Sequence, residues 1–171
     1  MRLRRFLFLA FSAGLAAAVP QVQAKNSAPP SLKGLALGMT AEDVTRVHPA
    51  SECGERLCAI DLPEGYTLAE QAATRAMIGL YRGRAVAISF ELPQGSWEDV
   101  CRALRAHPGY VGWRYAIDEA NGACELTAAD RRWRFEVSAA ADDSVVRITL
   151  IDVKGFNANQ SELDRARAKD L

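Results

Sequence analysis

The chain has 171 residues, 49% hydrophobic and 25% charged, with 21 basic and 21 acidic side chains and a formal net charge of zero. Arg2, Arg4 and Arg5 precede residue 25 and no acid does, so from Lys25 onward 18 basic groups face 21 acidic ones, a net −3. That balance argues against nucleic acid or an anionic membrane surface as the main partner, because both need concentrated positive charge, and the length is that of one domain.

In chain order, residues 1–24 read as a signal peptide. An arginine-rich start precedes an apolar run from Phe6 to Val19, and Val22, Gln23 and Ala24 form a small-x-small cleavage site. The mature chain then begins at Lys25 and carries no membrane span. Residues 25–33, with Pro29 and Pro30, read as a linker. At Gly34 an apolar stretch begins and reaches a glycine at Gly38. Thr40 follows in the position of a helix N-cap, with Glu42 and Asp43 in the first turn, where acids complement the helix dipole. The helix is expected from about Thr40 to His48, stopped by Pro49. Residues 58–62 read as a short strand. Residues 66–73 read as a strand fragment or loop, although Thr67, Glu70 and the four-residue spacing of Leu68, Ala72, Ala76 and Leu80 also fit a helix. Residues 74–81 read as a strand that turns at Arg82-Gly83 into a second at 84–92. There Val86, Ile88, Phe90 and Leu92 alternate with Ala85, Ala87, Ser89 and Glu91.

A second helix is expected from the N-cap Ser96 to about Ala106, with Trp97, Val100, Cys101 and Leu104 as its apolar stripe. Four strands follow, at 110–117, 124–127, 131–138 and 145–153. The polar remainder, 154–171, lacks an apolar stripe and reads as a solvated tail. Thr40, Glu42, Asp43, Val44 and Arg46 match Ser96, Glu98, Asp99, Val100 and Arg102 at a constant offset. The expected fold is therefore a single α+β domain over 34–153. It consists of two tandem helix-plus-antiparallel-meander repeats, 34–92 and 95–153, with the helices packed on one face of an antiparallel sheet.

Cys53, Cys58, Cys101 and Cys124 make an even count behind a signal peptide, which points to two disulfides in an oxidising compartment, periplasmic or secreted. Three connectivities are open. Pairing within each half favours Cys53–Cys58 and Cys101–Cys124. The spacing is not that of a metal site, and no metal or cofactor is expected.

The string Gly38, Met39, Thr40, Glu42, Val44, preceded by Gly34-Leu35, resembles the β-lactamase-inhibitor-protein-like superfamily. That superfamily shares its fold with small outer-membrane lipoproteins of the barrel-assembly machine. The resemblance implies a bacterial envelope protein that presents a sheet face or loops to another protein, and it implies no catalytic residues. The lipoprotein members need an acylated cysteine, which is missing behind the apolar run here. A soluble periplasmic role is favoured instead.

His48 and His107 precede Pro49 and Pro108 in matching contexts. Two histidines can form ligands or a proton-transfer pair, but a cation near each helix C-terminus explains them more simply. No nucleophile elbow, HExxH or Gly-rich phosphate loop occurs, so no catalytic residue is assigned and no enzyme is expected. Tyr110, Trp113, Arg114, Arg132, Arg134 and Arg147 are the candidate binding residues of a sheet face, because Tyr, Trp and Arg anchor interfaces. The simpler reading of the aromatic residues is core beneath the second helix. The expected function is a periplasmic protein-binding module, of an inhibitor or immunity type, acting on an envelope enzyme. The alternatives are an accessory factor of envelope assembly and a small ligand carrier or enzyme.

Overall fold

The structure is a computed structural model that describes residues 29–93, 95–140 and 144–169; the expected signal peptide lies outside the described residues. In chain order the elements are β1 (Ser31–Leu32), β2 (Leu35–Ala36), α1 (Ala41–Val47), β3 (Glu52–Cys53), β4 (Leu57–Asp61), β5 (Thr67–Leu68), β6 (Gln71–Ala72), β7 (Arg75–Tyr81), β8 (Arg84–Pro93), α2 (Trp97–Ala106), β9 (Arg114–Asp118), β10 (Ala123–Thr127), β11 (Trp133–Ala139), β12 (Val145–Asp152) and α3 (Val153–Arg167). No helix among the described residues is long and apolar enough to cross a membrane.

Capping chemistry starts the first two helices where the sequence places them. The Thr40 hydroxyl accepts from the Asp43 N–H at 3.2 Å, and the Asp43 carboxylate accepts from the Thr40 N–H at 3.0 Å. This reciprocal box satisfies two backbone donors that a helix start otherwise leaves open. The Ser96 hydroxyl accepts from the Asp99 N–H at the start of α2. Replacing Thr40 with alanine is expected to cost about 1 kcal/mol, measured as a shift in the urea midpoint. The same bonds, backbone N–H first and the Thr40 hydroxyl second, with Arg46 nearby, hold the Asp43 carboxyl below its ordinary value of 3.8. A group whose pKa is depressed on folding stabilises the fold above its unfolded value and loses that effect as pH falls through the folded one. Wild type should therefore exceed Asp43→Asn in stability at neutral pH, and the gap should close in a denaturation series carried below pH 3.8.

Eight strands form one antiparallel sheet in the order β3-β4-β7-β8-β12-β11-β10-β9. Its seam is the pairing of β8 with β12, which sets Phe90 opposite Ile148 and Leu92 opposite Val146. One face carries the main core. Ile78, Ile88, Phe90, Phe135, Ile148 and Leu150 lie there, each 1% exposed or less. Val100, Cys101 and Leu104 of α2 cover part of it, and two small hairpins, β1–β2 and β5–β6, cover more with Leu32, Leu35 and Leu68. The second hairpin is tied to α2: the Gln71 side chain accepts from the Ser96 N–H and donates to the Ser96 carbonyl. Both expected disulfides form. Cys53–Cys58 bridges directly opposed residues of β3 and β4, and Cys101–Cys124 pins α2 to β10.

The expected α+β fold of two tandem repeats, with helices on one face, is overturned. The described residues are mostly β, with one continuous eight-stranded antiparallel sheet and two small two-stranded sheets. The halves are not copies: β1–β2 and β5–β6 belong to the first alone, and α1 buries only Val44 where α2 buries three residues. The helices do not share a face either. Residues 154–167, expected as a solvated tail, belong to α3, which lies on the reverse of the sheet. There Val86, Ala87 and Ile151 are buried apart from the main core, and Gly155 approaches Val86 so closely that a Cβ would sit 2.6 Å from its Cγ1. Val86 faces α3 because the β7–β8 pairing shifts register at Gly79/Leu80, so Leu80 pairs with Ala85 and the expected alternation breaks at that point. The end of the expected linker is also structured: Leu32 is buried and pairs with Leu35, while residues 25–28 lie outside the described residues.

Candidate functional site

The reverse face is where polar side chains gather, because residues two apart on a strand share a face and register sets who stands beside whom. Three rows cross it. The row nearest α3 runs Gly79, Ala87, Ile151, Arg134, Thr127, Arg114. The middle row runs Met77, Ser89, Thr149, Glu136, Glu125, Ala116, and the far row Arg75, Glu91, Arg147, Ser138, Ala123, Asp118. α3 covers the Ala87/Ile151 end of the first row, leaving the β9–β11 end open.

At that open end lies a groove of about 500 Å³, lined by Arg114, Tyr115, Ala116, Glu125, Thr127, Arg131, Arg134 and the first residue of α3, Val153. It adjoins a second hollow of about 380 Å³ over Ala116, Asp118, Ala123, Glu125, Glu136 and Ser138. Together they form one trough, floored by the small side chains of Ala116, Ala123 and Ser138. Arg134 is half-buried and already neutralised, 2.6 Å from Glu136 and 3.7 Å from Glu125. Glu125 is held in turn by the Thr127 hydroxyl. Arg114 and Arg131 are different: both are exposed, and neither has an ion-pair partner among the described residues. Free guanidiniums at the mouth of a concave surface suit a carboxylate brought by a partner, because their planar fork donates two parallel hydrogen bonds to it.

The six candidate residues separate. Arg114 and Arg134 line the trough. Arg147 lies on the same face, in the far row, where it pairs with Glu91 at 2.9 Å. The guanidinium of Arg132 lies 4.2 Å from the Trp133 ring centroid, outside the trough lining. Tyr110 and Trp113 are on the other side of the sheet. A 3-10 turn over Pro108–Tyr110 and a further turn at 111–112 replace the first residues of the strand expected over 110–117, and both rings lie against the core, 4.8 Å and 5.8 Å from the ring of Phe135. Burial there pushes the Tyr110 hydroxyl above its ordinary value. Arg131 was not among the candidates. Its signal was the Ala129-Asp130 turn, after which a left-handed residue 131, φ +59°, aims the side chain into the trough.

The histidines end separate helices. The His48 N–H closes α1 on the Val44 carbonyl, and His107 Nδ1 accepts from the Gly109 N–H at 3.1 Å with its ring stacked on Tyr110. Among the described residues no three His, Cys, Asp or Glu side chains are placed to hold a metal ion. No family model, curated protein or solved structure matches the chain.

Proposed function

We propose that the chain is a protein-binding module of the bacterial envelope, periplasmic or secreted, and that the trough over β9–β11 receives its partner. The observation that carries this reading is the pairing of two uncommitted arginines, Arg114 and Arg131, with a floor of small side chains, beside an Arg134 that Glu125 and Glu136 already neutralise. Small floor residues let another backbone approach, and arginine is enriched where interfaces concentrate their binding energy. The two disulfides support an oxidising compartment. The finer proposal is an inhibitor or immunity type of role in which an acidic loop of an envelope enzyme enters the arginine end of the trough.

The test is capture of partners from envelope extract on the immobilised protein, comparing wild type with Arg131→Glu, with Arg114→Glu/Arg131→Glu, and with Arg102→Glu on the exposed side of α2. Recovery of a partner is expected to fall roughly 10-fold or more in the double variant, less in Arg131→Glu, and not in Arg102→Glu. Equal recovery by all four proteins would remove the trough from consideration.

A further inference from the structure

The far end of the sheet is unprotected on its outer side. β9 pairs only with β10, and all but one of its five residues are exposed. Natural proteins shield such an edge with proline, a bulge, a cover or charged side chains, since it offers a row of unpaired backbone groups. β9, whose sequence is Arg114, Tyr115, Ala116, Ile117, Asp118, has neither proline nor bulge and carries one charge of each sign, at its two ends.

The hydrogen-bond phase of the edge follows from its neighbours. The Ala128 N–H donates to the Trp133 carbonyl and the Ala139 N–H to the Gly122 carbonyl, so the even-numbered residues of β10 point their backbone groups toward β11. Its odd-numbered residues therefore point toward β9. Through the register Ala123–Asp118, Glu125–Ala116 and Thr127–Arg114, the even-numbered residues of β9 are turned inward. The N–H and C=O groups of Tyr115 and Ile117 are left aimed at open space.

We infer that β9 is a self-complementary edge that pairs antiparallel with β9 of a second copy of this chain, about a two-fold axis through Ala116. About that axis Tyr115 and Ile117 face Ile117 and Tyr115 of the other copy. These are the residues with free backbone groups, so each opposed pair exchanges two hydrogen bonds, while Ala116 meets Ala116 in the close, non-bonded position that a methyl tolerates. On the reverse face Arg114 stands opposite Asp118 of the second copy, twice over by symmetry. The two charges that would guard the edge against a foreign strand are opposite in sign and equally spaced from the axis, which makes them attractive only in this register. On the core-side face the Ile117 side chain, 50% exposed, gains cover from Tyr115, whose ring already carries Arg105 at 5.1 Å. The pairing extends the sheet across the axis and sets the two β9–β11 troughs side by side.

The test is sedimentation of the purified protein over a concentration series, with far-UV circular dichroism to establish that each variant is folded. Wild type is expected to dimerise. Arg114→Asp and Asp118→Arg each set like charges against each other at both symmetric contacts and should weaken the dimer roughly 10-fold or more. The double variant Arg114→Asp/Asp118→Arg restores complementarity and should recover it. Ile117→Pro removes an outward N–H and should leave a folded monomer. A wild type that stays monomeric throughout, a dimer indifferent to the single reversals, or a double variant no better than the singles would each overturn the inference. Arg131→Glu lies outside β9 and should weaken partner capture while leaving dimerisation intact, and Arg114→Asp/Asp118→Arg should likewise keep the dimer while the trough loses its Arg114 guanidinium, which separates this result from that of the trough.

Discussion

Replacing Phe135 with alanine is expected to cost about 4 kcal/mol of folding stability, the largest effect of any single substitution proposed for this chain. Phe135 is fully buried at the centre of β11, paired on one side with Leu150 and on the other with Leu126. Its ring is also the platform for Tyr110 and Trp113, which the 3-10 turn brings over the second half of the sheet. Truncation removes the apolar transfer energy, leaves a cavity in a sheet that cannot collapse around it, and releases two further rings from their contact. Urea unfolding followed by tryptophan fluorescence gives the loss directly, and near-UV dichroism should report disorder at Trp113. A cost below about 1 kcal/mol would mean that the site repacks, and that Phe135 is not the keystone of this cluster.

The second large effect is that of the buried disulfide. Cys101–Cys124 spans 23 residues and joins a helix to the sheet, whereas Cys53–Cys58 spans 5 and joins two adjacent strands already in register. Closing a longer loop removes more freedom from the unfolded chain. The double variant Cys101→Ala/Cys124→Ala should therefore lose about 3 kcal/mol, and Cys53→Ala/Cys58→Ala about 2 kcal/mol. Without the first bridge α2 retains Val100, Leu104, the half-buried Trp97 and the Gln71 clamp to hold it on the core. Midpoints measured for both variants in oxidising buffer test the order; an equal or reversed order would contradict it.

Local chemistry was legible in this sequence wherever a short motif decides the structure. Thr40 and Ser96 cap their helices as their flanking acids indicate, and Arg82-Gly83 turns β7 into β8 with both residues at positive φ. The disulfide pairing followed from keeping each bridge within one half of the chain. The global arrangement was not legible, because nothing in the alternation of β8 or β12 says which strand each will meet. The β8–β12 seam merges all eight main strands into one sheet, and the matched helix starts carry information about capping rather than about repetition.

The site was legible in part for the same reason. Alternation places Arg134 and Arg147 on the polar face of their strands, and Arg114 lies on that face by register. Tyr110 and Trp113 were placed with them because residues 110–117 were expected to be one strand. In the structure Pro108-Gly109 begins a tight turn, and β9 starts only at Arg114. α3 escaped notice because its apolar contact is shallow: Gly155 packs on Val86, and no residue of the helix is fully buried. The helix nevertheless closes one end of the polar face and so defines where the trough begins.

The most direct measurement is site-specific photo-crosslinking of the protein in the cells that produce it, with the reactive side chain placed in turn at Ser138, at Thr127 and at Glu98. The first two positions lie in the trough, away from β9, and the third on the exposed surface of α2. The proposed function predicts the same partner adduct at Ser138 and Thr127 and none at Glu98. Adducts at Glu98 alone, or a trough that stays unlabelled while the partner is bound, would contradict it.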